Sequence, residues 1–298
     1  MRINEALAEY YDYCTNVRNF TRATVYAKRY AMALFVRWYG NKKISKLSHD
    51  DINQYIAYIR SRGMAERTVS SYVTQIIVFI KYLHGMGYKT NVKLPLVAKQ
   101  RVHDNTARLF YSAHEINQVI DYSNDQAALM IAIAFDTGIR RTALTNLCLD
   151  NFYGRRVVYI DKGRKRRESY ITARTKLMLD TFVQNHHIAN RLWGAGRDYG
   201  VGISIATMNS LLRTAFNDYA DKLELQGGDP DLIYRLRQFH IHALRHSFAT
   251  DLQLKGASIE EIKELMGHSN TTITEHYLHG FDGQLQQIFD KYKTNVVI

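Results

Sequence analysis

The chain has 298 residues, of which 46% are hydrophobic, and it carries a formal net charge of +12. This composition supports a packed core and argues against general disorder, while a total of only two cysteines, Cys14 and Cys148, excludes a disulfide scaffold and a cysteine-ligated zinc domain. Residues 1–105 hold 17 Lys and Arg against 7 Asp and Glu, and an excess of this kind favours nucleic acid as a partner.

The first hundred residues are predicted to form four helices. The first lies near Asn4–Val17, and the second begins after the cap Thr21 and ends at Gly40. Ser48 caps the third helix, and the fourth spans about Glu66–Leu83, with apolar residues at helical spacing in both. Short polar turns between long amphipathic helices predict a compact four-helix bundle over residues 1–90.

Helical periodicity stops after this bundle and resumes near residue 112. We interpret residues 91–108 as an interdomain linker, because no sustained apolar stripe runs through them. The sequence Ser112-Ala-His-Glu115 is a capping box that opens a helix. Gln126–Phe135 is a strongly apolar helix that the sequence Asp136-Thr-Gly138 ends. Residues 109–298 are therefore expected to form a second domain.

One segment of the second domain has strand character. Arg156–Ile160 is β-branched and aromatic, and Glu168–Ile171 mirrors it, so the pair predicts a β-hairpin around a basic turn. Helices are predicted after the hairpin, over residues 173–190, 206–225, 242–255, 259–266, 271–277 and 284–292, with residues 226–239 as a loop. The expected fold is mainly α with a small β-sheet or hairpin.

Several basic, imidazole and phenol side chains of the second domain together form an ordered set of candidate site residues. Arg140 follows the turn that ends the apolar helix, and Lys162 lies in the basic hairpin turn. His242 and Arg245 are three residues apart and therefore share one helix face. The ordered set, from the first residue to the last, is Arg140, Lys162, His242, Arg245, His268 and Tyr277.

This ordered set resembles the catalytic residues of the tyrosine recombinase (phage integrase) family, and the similarity extends over nearly the whole chain. The matching motifs are Thr137-Gly-Ile-Arg140, Lys162 in the hairpin, His242-x-x-Arg245, His268 after Leu265-Met-Gly, and Tyr277 after His276. The resemblance implies a SAM-like, core-binding N-terminal bundle that clamps DNA, followed by a catalytic domain. It also implies a site-specific recombinase that works through a 3′-phosphotyrosine and a Holliday junction.

The resemblance assigns a role to each residue of the set. Arg140 and Arg245 neutralise the phosphate oxygens, Tyr277 is the nucleophile, and Lys162 protonates the leaving 5′ oxygen. Histidines and Arg245 help to remove or disperse the proton of the nucleophile, and no metal or other cofactor is required. The basic run of the hairpin is either a solvated turn or a DNA contact, formed by Arg164, Lys165, Arg166 and Arg167.

The sequence departs from the family pattern at two places near these residues. Arg141-Thr-Ala143 stands where family members usually carry an acidic residue shortly after the first arginine. Asp161 replaces the usual first glycine of the hairpin turn. Both departures bear on the geometry of the hairpin and on accessory contacts, and they leave the six candidate residues in place.

The expected partners are double-stranded DNA and further recombinase chains. The resemblance implies a tetramer on synapsed DNA, built from identical chains or together with a related recombinase. A helix over residues 284–292 carries one apolar stripe, which either packs on its own domain or docks into a neighbouring protomer. The resemblance favours the second fate, and the stripe consists of Leu285, Ile288, Phe289 and Tyr292.

Two alternative functions remain open, and the cellular location follows from exclusion. Residues 259–277 could form the helix-turn-helix of a non-catalytic DNA-binding protein, and a type IB topoisomerase-like DNA relaxer would share the same chemistry. No apolar run approaches the roughly 18 residues of a membrane span, and Glu5, Glu9 and Asp12 do not fit a signal peptide. We therefore expect a soluble, cytoplasmic protein without a membrane partner.

Overall fold

The computed structural model describes residues 1–94, 109–161, 163, 165–194, 200–266 and 289–293. The chain divides into two compact units, Met1–Asn105 and Thr106–Ile298. The architecture is mainly helical with one small sheet, which confirms the predicted fold class. Within the described ranges, none of the helices combines the length and the hydropathy that a membrane span needs.

Residues 1–94 of the first unit contain four α-helices, and two of them begin at side-chain caps. They are α1 (Ile3–Asp12), α2 (Arg22–Tyr39), α3 (His49–Ser61) and α4 (Glu66–Gly85). The Thr21 side chain accepts a hydrogen bond from the Thr24 backbone at the start of α2, and Ser48 forms a capping box with Asp51 at the start of α3. A π-helical turn over Tyr13–Val17 continues α1, so the predicted first helix has nearly the expected length.

The core of the first unit is rich in aromatic rings. The Phe35 ring packs edge-on against Tyr55, with 5.0 Å between the ring centroids, and Phe79 contacts Tyr10 at 5.4 Å. All four residues are at most 2% exposed. The first residues of the predicted linker also belong here, because the Asn91 N–H donates to the Leu47 carbonyl at 2.8 Å. Residues 95–108 of that linker lie outside the described residues.

The second unit packs further helices and a sheet around one almost completely buried helix. The described helices are α5 (Ala113–Tyr122), α6 (Asp125–Thr137), α7 (Arg141–Thr145), α8 (Ala173–Asn185), α9 (Ile205–Leu225), α10 (Pro230–Arg237), α11 (Ile241–Leu254) and α12 (Ile259–Leu265). Every residue of α6 after Asp125 is buried. This helix therefore supplies the centre of the core and the rigid base for the turn that follows it.

The sheet of the second unit has three antiparallel strands in the order β1 (Phe152–Tyr153), β2 (Arg156–Asp161) and β3 (Lys165–Tyr170). Tyr159 pairs with Arg167, and Asp161 pairs with Lys165 at the end of the hairpin. The strands are longer than predicted, so most of the basic run belongs to β3 and the turn itself is short. Lys162 and Arg164, which fall between β2 and β3 in the sequence, are outside the described residues.

The structure differs from the predicted elements of the second unit at three places. Helix α8 ends at Asn185 and not near residue 190, because His187 adopts φ +50° and the chain turns away. Residues 226–239 contain α10, which begins with Asp229 as a cap and Pro230 in its first turn. The short helix α7 was not predicted. The predicted helix over 271–277 lies outside the described residues.

The last described segment, residues 289–293, is helical and packs on its own unit. Phe289 is fully buried and Tyr292 is 5% exposed, in a cluster with Phe248, Leu252 and Leu265. Arg155 forms an ion pair of 2.6 Å with Asp290. This chain therefore buries part of the predicted apolar stripe against itself, while residues 284–288 lie outside the described residues.

Candidate active site

The turn after α6 determines where Arg140 points. Gly138 ends α6 in the left-handed conformation, with φ +59°, and a Cβ at this position would lie 2.6 Å from the Phe248 ring. The Ile139 N–H then donates to the Thr137 hydroxyl at 3.2 Å. Arg140 follows in an extended conformation as the residue that precedes α7. A fully buried helix and a glycine turn thus direct this arginine out of the core.

Two further contacts hold the elements on either side of this turn. The Asp136 carboxylate accepts hydrogen bonds from the backbone and the hydroxyl of Thr172, at 2.7 and 2.9 Å, which joins the end of α6 to the start of α8. The Trp193 indole donates to the Leu144 carbonyl at 2.6 Å and fixes α7. Arg140 therefore projects from a backbone that is anchored both before and after it.

Arg245 lies on α11 with only 8% of its surface exposed. Its guanidinium donates from Nη1 to the Gly138 carbonyl and from Nη2 to the Met266 carbonyl, the latter at 2.9 Å. Burial lowers the pKa of Arg245, and the neighbouring positive charge of Arg140 lowers it further. Because an arginine keeps its proton in proteins, the site holds two close positive charges.

The Asp161 carboxylate forms an ion pair with Arg140. The Asp161 side chain is 6% exposed, whereas that of Arg140 is 31% exposed, so the pair lies at the edge of the buried region. Tyr159 is on the same face of β2, and burial together with the nearby Asp161 charge raises the pKa of Tyr159 to about 12. The positive charges of three arginines lower the pKa of Tyr159 and so partly offset this rise; they belong to Arg245, Arg167 and Arg140.

His242 lies in the first turn of α11, three residues before Arg245. Desolvation of its ring is the main cause that lowers the pKa of His242, and the charges of Arg141, His240, Arg245 and Arg140 lower it further. The imidazole is therefore neutral near pH 7, which leaves a ring nitrogen able to accept a proton or a hydrogen bond. His246, which recurs one turn later on α11, is half-buried.

The structure brings three of the six predicted catalytic residues into one site: Arg140, His242 and Arg245. Of the predicted DNA-contacting residues, Lys165 and Arg166 are exposed on β3, and Arg167 is half-buried towards Tyr159. Four predicted residues lie outside the described residues, namely Lys162, Arg164, His268 and Tyr277.

Sequence reasoning did not select Tyr159 as a site residue, and it noted Asp161 only as a departure from the family pattern. Strand alternation was the available signal, because Val157, Tyr159 and Asp161 fall on one face of β2. That face becomes part of the site only through the register with β3 and through the approach of Arg140. Neither of these can be read from the spacing of residues in β2 alone.

Comparisons with a family profile and with curated proteins point to the same family. The profile of the phage integrase family matches residues 110–283. Tyrosine recombinase XerC of Treponema denticola is 25% identical over 308 aligned residues, which cover 96% of this chain and 98% of the relative. A tyrosine recombinase of Thermosipho africanus is 23% identical over 308 aligned residues, which cover 98% of this chain and 99% of the relative.

The fold is also shared with solved structures. The structure of a lambda integrase tetramer bound to a Holliday junction matches with a TM-score of 0.67. The two chains are 15% identical, and the match covers 92% of this chain and 79% of the lambda chain. At this identity the similarity establishes the fold, so the chemistry is argued from the residues of this chain.

Proposed function

Because this chain belongs to the phage integrase family, we propose that it is a site-specific DNA recombinase, which cleaves and rejoins DNA strands through a 3′-phosphotyrosine. The observation that carries the proposal is the convergence of Arg140, Arg245 and His242 in one site of the second unit. Two guanidinium groups beside a neutral imidazole are the groups that attack on a phosphodiester requires.

The two arginines have complementary roles in this proposal. Arg245 is fixed by two backbone carbonyls, so its remaining N–H groups meet the phosphate from a preorganised position. Arg140 is more exposed and approaches the same phosphate from the turn after α6. Both charges act on the non-bridging oxygens, where negative charge redistributes as the transition state forms.

Tyr277 supplies the nucleophile in the proposed reaction. Its phenol oxygen attacks the phosphorus, the bond to the 5′ oxygen breaks, and Lys162 gives a proton to that oxygen. The proton of Tyr277, whose phenol has an ordinary pKa near 10, passes to the surroundings with help from His242, His268 and Arg245. Rejoining is the reverse of these steps with a new 5′ hydroxyl, so the phosphodiester bond energy is retained and no cofactor is consumed.

Several surfaces support DNA as the partner. Lys165 and Arg166 are exposed on β3 near the site, and Arg164 belongs to the same basic run. In the first unit, α2 exposes Tyr26 and Tyr30, which are 72% and 65% exposed, together with Arg22. We therefore assign residues 1–90 the role of a DNA clamp, because cations interleaved with aromatic rings suit a nucleic-acid surface.

We extend the proposal to assembly and location. The lambda integrase relative forms a tetramer on a Holliday junction, and we propose a tetramer on synapsed DNA for this chain, formed by identical chains or with a related recombinase. Exchange of the helix over residues 284–292 between protomers requires release of Phe289 and Tyr292 from their own unit, where both are buried. We place the protein in the cytoplasm, where chromosomal and plasmid DNA of bacterial relatives is found.

The test begins with the DNA that the chain occupies in cells, mapped by crosslinking and sequencing. A duplex from that region, nicked near the cleavage point, traps the covalent product, which is resolved on a denaturing gel. The wild type should form a covalent band, and Tyr277→Phe should bind the duplex without forming it. Tyr234→Phe, which changes a tyrosine that is 65% exposed, is the matched control and should react like the wild type.

Each alternative function predicts a different result in the same assay. A non-catalytic DNA-binding protein binds the duplex and leaves no covalent band in the wild type. A topoisomerase-like relaxer forms the band and relaxes supercoiled DNA, yet it joins no two sites. A covalent band that survives in Tyr277→Phe removes Tyr277 from the nucleophilic role.

A further inference from the structure

A buried carboxylate lies among the arginines of the site. Asp161 is the last residue of β2, its side chain is 6% exposed, and it forms an ion pair with Arg140. A carboxylate at this depth requires a cationic partner, because desolvation of an unpaired charge is costly. The pair joins two separate elements of the fold, the turn before α7 and the end of the β2–β3 hairpin.

The charges around Asp161 explain why the arginines can stay together. Three guanidinium groups and the Asp161 carboxylate all act electrostatically on Tyr159, and the guanidinium groups belong to Arg140, Arg167 and Arg245. Arg140 and Arg167 also lower the pKa of Arg245 by repulsion, whereas Asp161 raises it. Asp161 therefore supplies negative charge to a cluster of like charges before any phosphate arrives.

An arginine bound to one carboxylate can still bind a phosphate. The guanidinium has five N–H donors in a planar fork, and the contact with Asp161 is made by Nη1 of Arg140. This bond uses one of the five donors and leaves the plane of the group fixed by its contact with Asp161. A fixed plane reduces the freedom that Arg140 loses when it meets the phosphate.

The same bond acts on the hairpin. Asp161 precedes Lys162 in the chain, and it pairs with Lys165 across the two strands. A bond from Asp161 to Arg140 therefore fixes the point from which the turn with Lys162 starts. One side chain thus links the phosphate-binding arginine to the residue assigned as the acid for the leaving oxygen.

We propose that Asp161 is a positioning residue, whose carboxylate orients the Arg140 guanidinium for the phosphate and holds the start of the turn that carries Lys162. This inference rests on the proposed recombinase function. It gives a role to the aspartate that stands in the place of the usual first glycine of the family turn.

The first test measures single-turnover cleavage of the nicked duplex at saturating protein. Asp161→Asn keeps the size of the side chain and removes its charge, and it should cleave about tenfold more slowly than the wild type. Asp161→Glu, which restores the charge, should recover most of the rate. Asp180→Asn removes an exposed carboxylate that pairs with Lys176, and this matched control should cleave at the wild-type rate.

A double-mutant cycle tests whether Asp161 acts through Arg140. If it does, Asp161→Asn in an Arg140→Ala background should slow cleavage less than it does alone, because the partner is already lost. Multiplication of the two effects would contradict the proposal. Faster cleavage by Asp161→Asn would also overturn it, since that result would make the carboxylate a competitor of the phosphate.

A duplex with a 5′-bridging sulfur tests the effect on the hairpin. Thiolate leaves without an acid, so misplacement of Lys162 should not slow this substrate. Asp161→Asn should therefore slow the oxygen substrate several-fold more than the sulfur substrate, and equal slowing would refute the link to the hairpin. Absence of a covalent product in the wild type would instead refute the recombinase function, so the two failures are distinguishable.

Discussion

Replacement of Gly138 by alanine tests how tightly the turn before Arg140 is built. The residue has φ +59°, where a side chain costs about 1–2 kcal/mol. The added Cβ would lie 2.6 Å from the Phe248 ring, and Phe248 is fully buried, so relief of the overlap costs a further ~1–3 kcal/mol. We expect Gly138→Ala to lower the free energy of unfolding of the second unit by about 2–5 kcal/mol in total.

The matched control is Gly154→Ala. Gly154 has φ +63°, and a Cβ there would meet no atom within 4 Å, so only the backbone cost of about 1–2 kcal/mol should appear. Urea unfolding followed by fluorescence measures both variants. A Trp38→Phe background leaves Trp193, which is 1% exposed, as the reporter of the second unit. Equal destabilisation of the two alanine variants would refute the overlap with Phe248.

Gly138→Ala should also impair the reaction for a geometric reason. The Gly138 carbonyl accepts a hydrogen bond from Arg245, and Arg140 follows two residues later. A shift of this backbone by about 1 Å moves both arginines, and a displacement of that size costs on the order of a hundredfold in rate. The loss is measured as the rate of cleavage of the nicked duplex, without urea and at a temperature well below the thermal unfolding of the variant. A wild-type rate would show that the turn does not position the arginines.

Two further predictions concern buried or shielded charges. Lys293 is 2% exposed and lies 2.9 Å from Asp251. Lys293→Met should destabilise the second unit by about 1–3 kcal/mol. The loss is moderate because Lys255 remains 3.1 Å from Asp251. An unchanged urea midpoint would contradict this. Desolvation and neighbouring arginines hold the pKa of His242 in the folded chain below its ordinary value. Between that lowered pKa and the ordinary pKa of the unfolded chain, His242 therefore binds more protons in the unfolded chain than in the folded one. Stability should therefore fall as the pH drops through about 6.5 towards the lowered pKa, and His242→Gln should remove that part of the pH dependence.

The parts of the fold that local chemistry determines could be predicted from the sequence. The cap at Ser48 and the capping box at Ser112 both form as expected, because the partners of each lie within one helical turn. The apolar helix α6 and its end at Gly138 are confirmed for the same reason. In the second unit, the sequence motifs also selected Arg140 and Arg245, which the structure brings together.

The features that sequence reasoning missed depend on the three-dimensional arrangement. The bond between Arg140 and Asp161 joins residues 21 positions apart, and it exists because the hairpin folds back on the turn before α7. Helix α8 ends at Asn185, and the positive φ that follows belongs to His187, so no glycine in the sequence marks this end. Helix α10 begins after the cap Asp229, and the predicted loop over residues 226–239 overlooked this cap and the proline that follows it.

The anchoring of Arg245 by backbone carbonyls has a consequence for sequence divergence. Every amino acid supplies a backbone carbonyl, so no substitution at Gly138 or Met266 deletes an acceptor of Arg245. Met266 is 8% exposed and has ordinary helical torsion angles, and other apolar residues can replace it as long as α12 ends at the same place. Gly138 has no such freedom, because its left-handed conformation and its contact with Phe248 both exclude a side chain. One anchor of the arginine can therefore drift through evolution, while the other must stay glycine.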